Sequence, residues 1–126
     1  MAKTIIQTNN APAPIGPYNQ AILTGNMLFL SGQIALVPGT NDLNMATIQD
    51  ETNQVMHNIK AILDAADFKF SDVVKTSIFL SDMTLFSAVN EVYGNYFTSD
   101  FPARETIAVK TLPRNVNVEI TMTAVK

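Results

Sequence analysis

Residues 116–125 alternate without interruption: Val116, Val118, Ile120, Met122 and Ala124 fall on one side, Asn117, Glu119, Thr121 and Thr123 on the other. Strict period two suits a β-strand buried on one face only; on a helix the same residues would scatter around the axis. Such a strand needs partners and a layer to cover its apolar side. Residues 18–24 and 27–34 are β-prone runs separated by Gly25 and Asn26, a two-residue hairpin signal. Residues 73–80 are β-branched and aromatic, and residues 103–110 alternate, with Arg104, Thr106 and Ala108 opposite Glu105, Ile107 and Val109. From Thr47 the period changes. Ile48, Val55, Ile59, Ile62, Leu63 and Ala66 recur at helical spacing, and Thr47 with Asp50 resembles a capping box. Ser81 or Asp82 can cap a second helix, ending near Phe97, with Phe86, Val89, Tyr93 and Tyr96 on its packed face.

The predicted order is β, ββ, α, β, α, β, β within one domain spanning residues 1–126. Strands interleaved with only two amphipathic helices predict an α+β layer, both helices covering one face of a single sheet. The uncovered face carries Glu119 and must meet water or another subunit. Charged residues are only 15% of the chain against 47% hydrophobic, which favours a subunit. Residues 9–17 hold three of the six prolines and read as an ordered loop.

Composition narrows the chemistry further. With no cysteine, there is no thiol nucleophile, disulfide or thiolate metal site. The one histidine, His57, lies about 200° around its helix from Val55 and Ile59, on the exposed side. Acid–base work therefore falls to carboxylates, Tyr or Lys. A net charge of -3 argues against a phosphate-neutralising protein, so nucleic acid is not an expected partner. No phosphate-cradling loop, zinc spacing or calcium loop is present, and neither metal nor cofactor is expected. The apolar stretch over residues 21–37 is broken by polar residues and Gly, and the N-terminus lacks an apolar h-region; a cytoplasmic protein without a membrane span is the expectation.

Arg104 follows Pro102 and Ala103 at a strand start and is one of two arginines. A guanidinium fixed there suits a carboxylate clamp, with a surface or intersubunit salt bridge as the alternative. Glu119, mid-strand, can activate a water if partly buried near a cleft, or can simply be solvated. Gly32 inside its strand marks a bulge or a close backbone approach to a ligand. Ser31 has no histidine in reach and reads as a hydrogen-bond donor. Tyr93 and Tyr96 read as packing residues, and Arg114 as solvated.

Five strings, GPYNQA (16–21), SGQI (31–34), VNEVYGNYF (89–97), FPARETIAV (101–109) and LPRNVNVEI (112–120), together resemble the RidA/YjgF family of enamine/imine deaminases, in the family's order and over nearly the whole chain. The resemblance implies a chorismate-mutase-like α+β fold assembled as a homotrimer, with ligand clefts between neighbouring subunits. It implies hydrolysis of the 2-imino acids, such as 2-iminobutanoate and 2-iminopropanoate, that pyridoxal-phosphate dehydratases release from threonine or serine, giving 2-keto acids and ammonia. By motif, Arg104 would bind the substrate carboxylate and Glu119 would activate the attacking water. Tyr18, Ser31, Gly32 and Asn90 would line the cleft. Many relatives carry cysteine where this chain has Thr106, a position expected to meet ligand mainly through its backbone. Two alternatives within the family are a translation inhibitor with ribonuclease activity and a non-catalytic small-molecule binder.

Overall fold

The computed structural model describes residues 2–126. Its strands are β1 (Lys3–Ile6), β2 (Ala21–Thr24), β3 (Met27–Leu30), β4 (Val73–Leu80), β5 (Ala103–Ala108) and β6 (Val118–Val125); its helices are α1 (Ile48–Ala65) and α2 (Phe86–Gly94). They follow the predicted order and form one sheet with spatial order β1-β2-β3-β6-β4-β5. β4 and β5 run parallel, joined by the crossover that contains α2; every other pairing is antiparallel, so the sheet is mixed. Gly25, at φ 59°, supplies the positive angle that the two-residue turn between β2 and β3 requires.

Both helices lie on one face. The alternation of β6 holds throughout: Val118, Ile120, Met122 and Ala124 are buried beneath Val55, Met56, Ile59, Ile62 and Leu63 of α1 and Val89 of α2. Thr47 caps α1, its hydroxyl accepting from the Asp50 N–H at 3.0 Å. The far end closes with the Phe68 N–H on the Leu63 carbonyl and the Asp67 N–H on that of Asp64, Asp67 taking the left-handed conformation at φ 64°. Phe68, just past that turn, is buried in the core.

Several predicted boundaries shift, β5 and β6 each being two residues shorter than the runs over 103–110 and 116–125. The α-helical part of α2 is shorter than expected, because a 3₁₀ turn (Met83–Leu85), capped by Asp82, precedes it and i→i−3 bonds at Asn95, Tyr96 and Phe97 follow it. Tyr18 precedes β2 instead of belonging to it, and β3 stops at Leu30 instead of running to residue 34. The reason at β3 is a bulge. Phe29 pairs with Thr123 and Gln33 bridges Ile120, so four steps on one strand face three on the other, with Ser31 and Gly32 inside the irregularity.

The second face, bearing Glu119, Thr121 and Thr123 of β6, is covered by no element among the described residues, and Ile5, Met27, Phe29 and Ile107 stand exposed. No helix among the described residues is long and apolar enough to cross a membrane.

One buried carboxylate ties the helix layer to the start of β6. Glu51, fully buried in the first turns of α1, accepts from the Asn117 N–H at 2.7 Å, the Asn117 side-chain amide at 2.9 Å and the Val118 N–H at 3.2 Å. Glu51→Ala leaves one buried and two part-buried donors without their acceptor and is expected to cost about 3 kcal/mol. Glu51→Gln keeps one carbonyl acceptor, and a flip of the Asn117 amide can meet the new NH₂, so its cost is expected to be about 1–2 kcal/mol. Urea unfolding of both variants at one fixed protein concentration checks the size and the order.

Candidate functional site

The first cleft, of about 410 Å³, opens where the loop before β2 meets the bulge after β3. Gln20 fixes one wall. Buried, it accepts from the Thr8 N–H at 2.8 Å and donates to the carbonyls of Thr8 (3.0 Å) and Pro12 (2.9 Å), so the proline-rich segment is an ordered loop held by one amide. Pro12, Ala13, Ile15 and Tyr18 line that wall. The opposite wall is Ser31, Gly32, Gln33 and Ile34, held from behind by the buried Asn58 of α1, which donates to the Ile34 and Leu36 carbonyls at 3.1 and 2.8 Å. Ser31 Oγ donates to the Asn19 carbonyl, in keeping with its reading as a donor.

Glu119 of β6 reaches into this cleft across Gly32. A Cβ on Gly32 would overlap the Glu119 carboxylate and stand 3.0 Å from its Cδ, so any side chain there would displace the acid. The glycine thus serves close approach, to a side chain of the chain itself. Glu119 is half-buried and makes no side-chain hydrogen bond or ion pair among the described residues; burial pushes its carboxyl up from the ordinary glutamate value. It is not the fully solvated strand glutamate.

A second cleft, of about 310 Å³, is lined by Asn90, Tyr93 and Gly94 of α2 with Phe101, Pro102 and Arg104. The Arg104 guanidinium lies 5.0 Å from the centre of the Tyr93 ring and 5.7 Å from that of Phe86. It forms neither an ion pair nor a side-chain hydrogen bond among the described residues, so the intramolecular salt bridge is not formed. The strand's other face shows the contrast: Glu105 holds Lys75 and Ser77, and these hydrogen bonds lower its pKa. Phe86, predicted on the packed stripe, stands at the surface instead, while Tyr93 is buried and Tyr96 half-buried.

The sheet separates the two clefts. Arg104 pairs in register with Thr76, which is buried beneath Tyr93 on the helix face, whereas Glu119 pairs with Phe79 on the uncovered face. Tyr18, Ser31, Gly32 and Glu119 therefore come together, as do Arg104 and Asn90, but the two groups do not meet within one chain. Thr106 lines neither cleft; its hydroxyl is buried with no hydrogen-bond partner among the described residues. His57 is exposed on α1, away from both clefts.

Arg114 is exposed, as its reading as solvated has it, but its place at the first cleft was not foreseen, and neither was that of Gln20. Arg114 lines the cleft and donates to the Asn41 carbonyl at 3.0 Å from a left-handed backbone (φ 55°). Its place in the LPRN turn just before β6 was the available signal. Gln20 carried a signal too, as a polar residue next to the start of a strand.

Residues 8–126 match the family model described as Endoribonuclease L-PSP. A RutC family protein of Pyrococcus horikoshii is 48% identical over 98% of both chains. A 2-iminobutanoate/2-iminopropanoate deaminase of Dermatophagoides farinae is 48% identical over 94% of this chain and 92% of its own. Among solved structures, a protein of the conserved Rid family from Yersinia pestis superposes with a TM-score of 0.96 at 44% identity, covering 99% of this chain and 100% of that one. On sequence and fold alike, the chain belongs to the RidA/YjgF family.

Proposed function

We propose that this protein hydrolyses short 2-imino acids to 2-keto acids and ammonia, in clefts shared between neighbouring copies of the chain. The observation that carries the reading is the separation of two groups on opposite faces: an arginine whose side-chain donors have no partner among the described residues on one, a partly desolvated carboxylate against Gly32 on the other. The deaminase name of the relative from Dermatophagoides farinae supports the substrate class.

Arg104 of one copy binds the substrate carboxylate through paired planar N–H bonds, which sets the imine carbon against Glu119 of the next. Glu119 takes a proton from water as the oxygen adds to the protonated imine. That proton then passes to nitrogen; as the C–N bond breaks and ammonia leaves, Glu119, ionised again, takes the remaining hydroxyl proton, so that the carbonyl forms and the proton goes on to the departing ammonia. Tyr18, Ser31, Gly32 and Asn90 shape the cleft, and Thr106 presents its backbone. Two unlike patches on one chain form a heterologous contact that closes into a ring, and a ring of three accords with the family resemblance.

The direct test generates 2-iminobutanoate in situ with threonine dehydratase and follows its decay with and without the protein. Acceleration is expected; decay at the spontaneous rate would leave a non-catalytic binder or a ribonuclease-like protein as the better reading. Arg104→Lys is expected to bind 2-ketobutyrate about ten- to hundredfold more weakly, since an ammonium cannot reproduce the planar pair. Glu119→Gln should lose turnover and keep that affinity, both read by calorimetry beside the imine assay.

Site sharing makes a further prediction: Arg104→Ala and Glu119→Gln, each inactive alone, should recover about a quarter of wild-type activity when co-refolded in equal amounts, because that share of randomly formed clefts draws both intact residues. A site within one chain would recover nothing. The pH profile follows from Glu119. Its base form predominates above its pKa, which burial raises, so activity should fall on acidification at a higher pH than an unperturbed glutamate would give, and the acid limb of kcat against pH measures this.

A further inference from the structure

Among the described residues, the Arg104 guanidinium is held in place without using any of its hydrogen-bond donors. A free arginine side chain samples many rotamers, and immobilising it opposes binding. The usual remedy, a carboxylate partner, would occupy the same N–H fork that a substrate needs. Around Arg104 the contacts are aromatic: the rings of Tyr93 and Phe86, 5.0 and 5.7 Å from its Cζ, approach from α2. Ring faces attract the cation through their quadrupole and leave the in-plane N–H groups unspent.

Two details indicate that this seat is built. Tyr93 donates its hydroxyl to Thr76 Oγ1 at 3.0 Å, and Thr76 is the strand neighbour in register with Arg104. The ring beneath the guanidinium is thus pinned by the residue beside the arginine's own backbone. Burial raises the Tyr93 phenol above its ordinary pKa, despite the opposing effects of Thr76 and Arg104, so it stays a neutral donor at neutral pH. Phe86, one helical face with Asn90 and Tyr93, is 36% exposed and lies off the hydrophobic core. Core packing therefore does not account for a phenyl ring at that position.

We propose that Phe86 and Tyr93 are positioning residues that pre-orient Arg104 for a planar carboxylate. The inference rests on the proposed role of Arg104 as carboxylate clamp. Phe86→Leu keeps an apolar side chain of similar size but removes the ring, whereas Phe86→Tyr restores the ring. With Phe86→Leu, the Kd for 2-ketobutyrate and the KM for 2-iminobutanoate should rise about three- to tenfold with little change in kcat, because the arginine would hold ground state and transition state alike. Phe86→Tyr should match wild type, and the melting temperatures of the two should agree. Tyr93→Phe keeps the ring and loses the bond to Thr76; it should lower the melting temperature more than the affinity.

Wild-type-like binding by Phe86→Leu, while Arg104→Lys still loses affinity, overturns the seat and leaves the clamp standing. Wild-type-like binding by Arg104→Lys overturns both. If Phe86→Leu does not fold, proton NMR of the unliganded wild-type protein decides. Arg104 side-chain resonances shifted upfield by the two rings support the seat, and resonances at random-coil positions overturn it.

Discussion

The Glu51 carboxylate fixes the phase of the strand on which the first cleft depends. By accepting from the backbone N–H groups of Asn117 and Val118, it determines where β6 begins and which way its first residue points. In a strand, a slip of one residue exchanges the two faces. With Val118 fixed beneath the helices, Glu119 must emerge on the uncovered side, and the bulge at Ser31 and Gly32 then makes room for it. A carboxylate so buried, met by three N–H groups, has little tolerance for an altered register.

Much of this architecture was legible in the sequence, because period and turn chemistry are local signals. The alternation of residues 116–125, the helical stripe from Ile48 to Leu63, the Gly25 turn and the Thr47 cap each appear where expected. What failed depended on partners distant in the chain. Phe86 has the correct helical spacing for the core, yet it stands at the surface with its ring 5.7 Å from the Arg104 guanidinium. The strand through residues 27–34 reads as continuous, yet it breaks because β6 opposite it is one residue shorter. Glu51 sits one turn before Val55 on the apolar stripe, and a charge at that position was the sign of a buried polar tie.

The candidate site was legible residue by residue but not as an arrangement. Alternation places Arg104 with Thr106 and Glu119 with Thr121. It does not say how those two faces relate. That relation requires β4 to lie between β5 and β6, parallel to one and antiparallel to the other, which no local pattern encodes. The two charged groups also have different surroundings. Arg104 rests on ring faces with its side-chain donors unpartnered among the described residues, and Glu119 sits against a bare backbone with its charge disfavoured.

The sheet between Arg104 and Glu119 cannot be crossed by any motion that leaves the chain folded. A rotamer change, a loop closure or a hinge would rearrange side chains on one face and leave the other untouched. For chemistry requiring both groups, no rearrangement within one chain can bring the pair together, and only encounter between chains can.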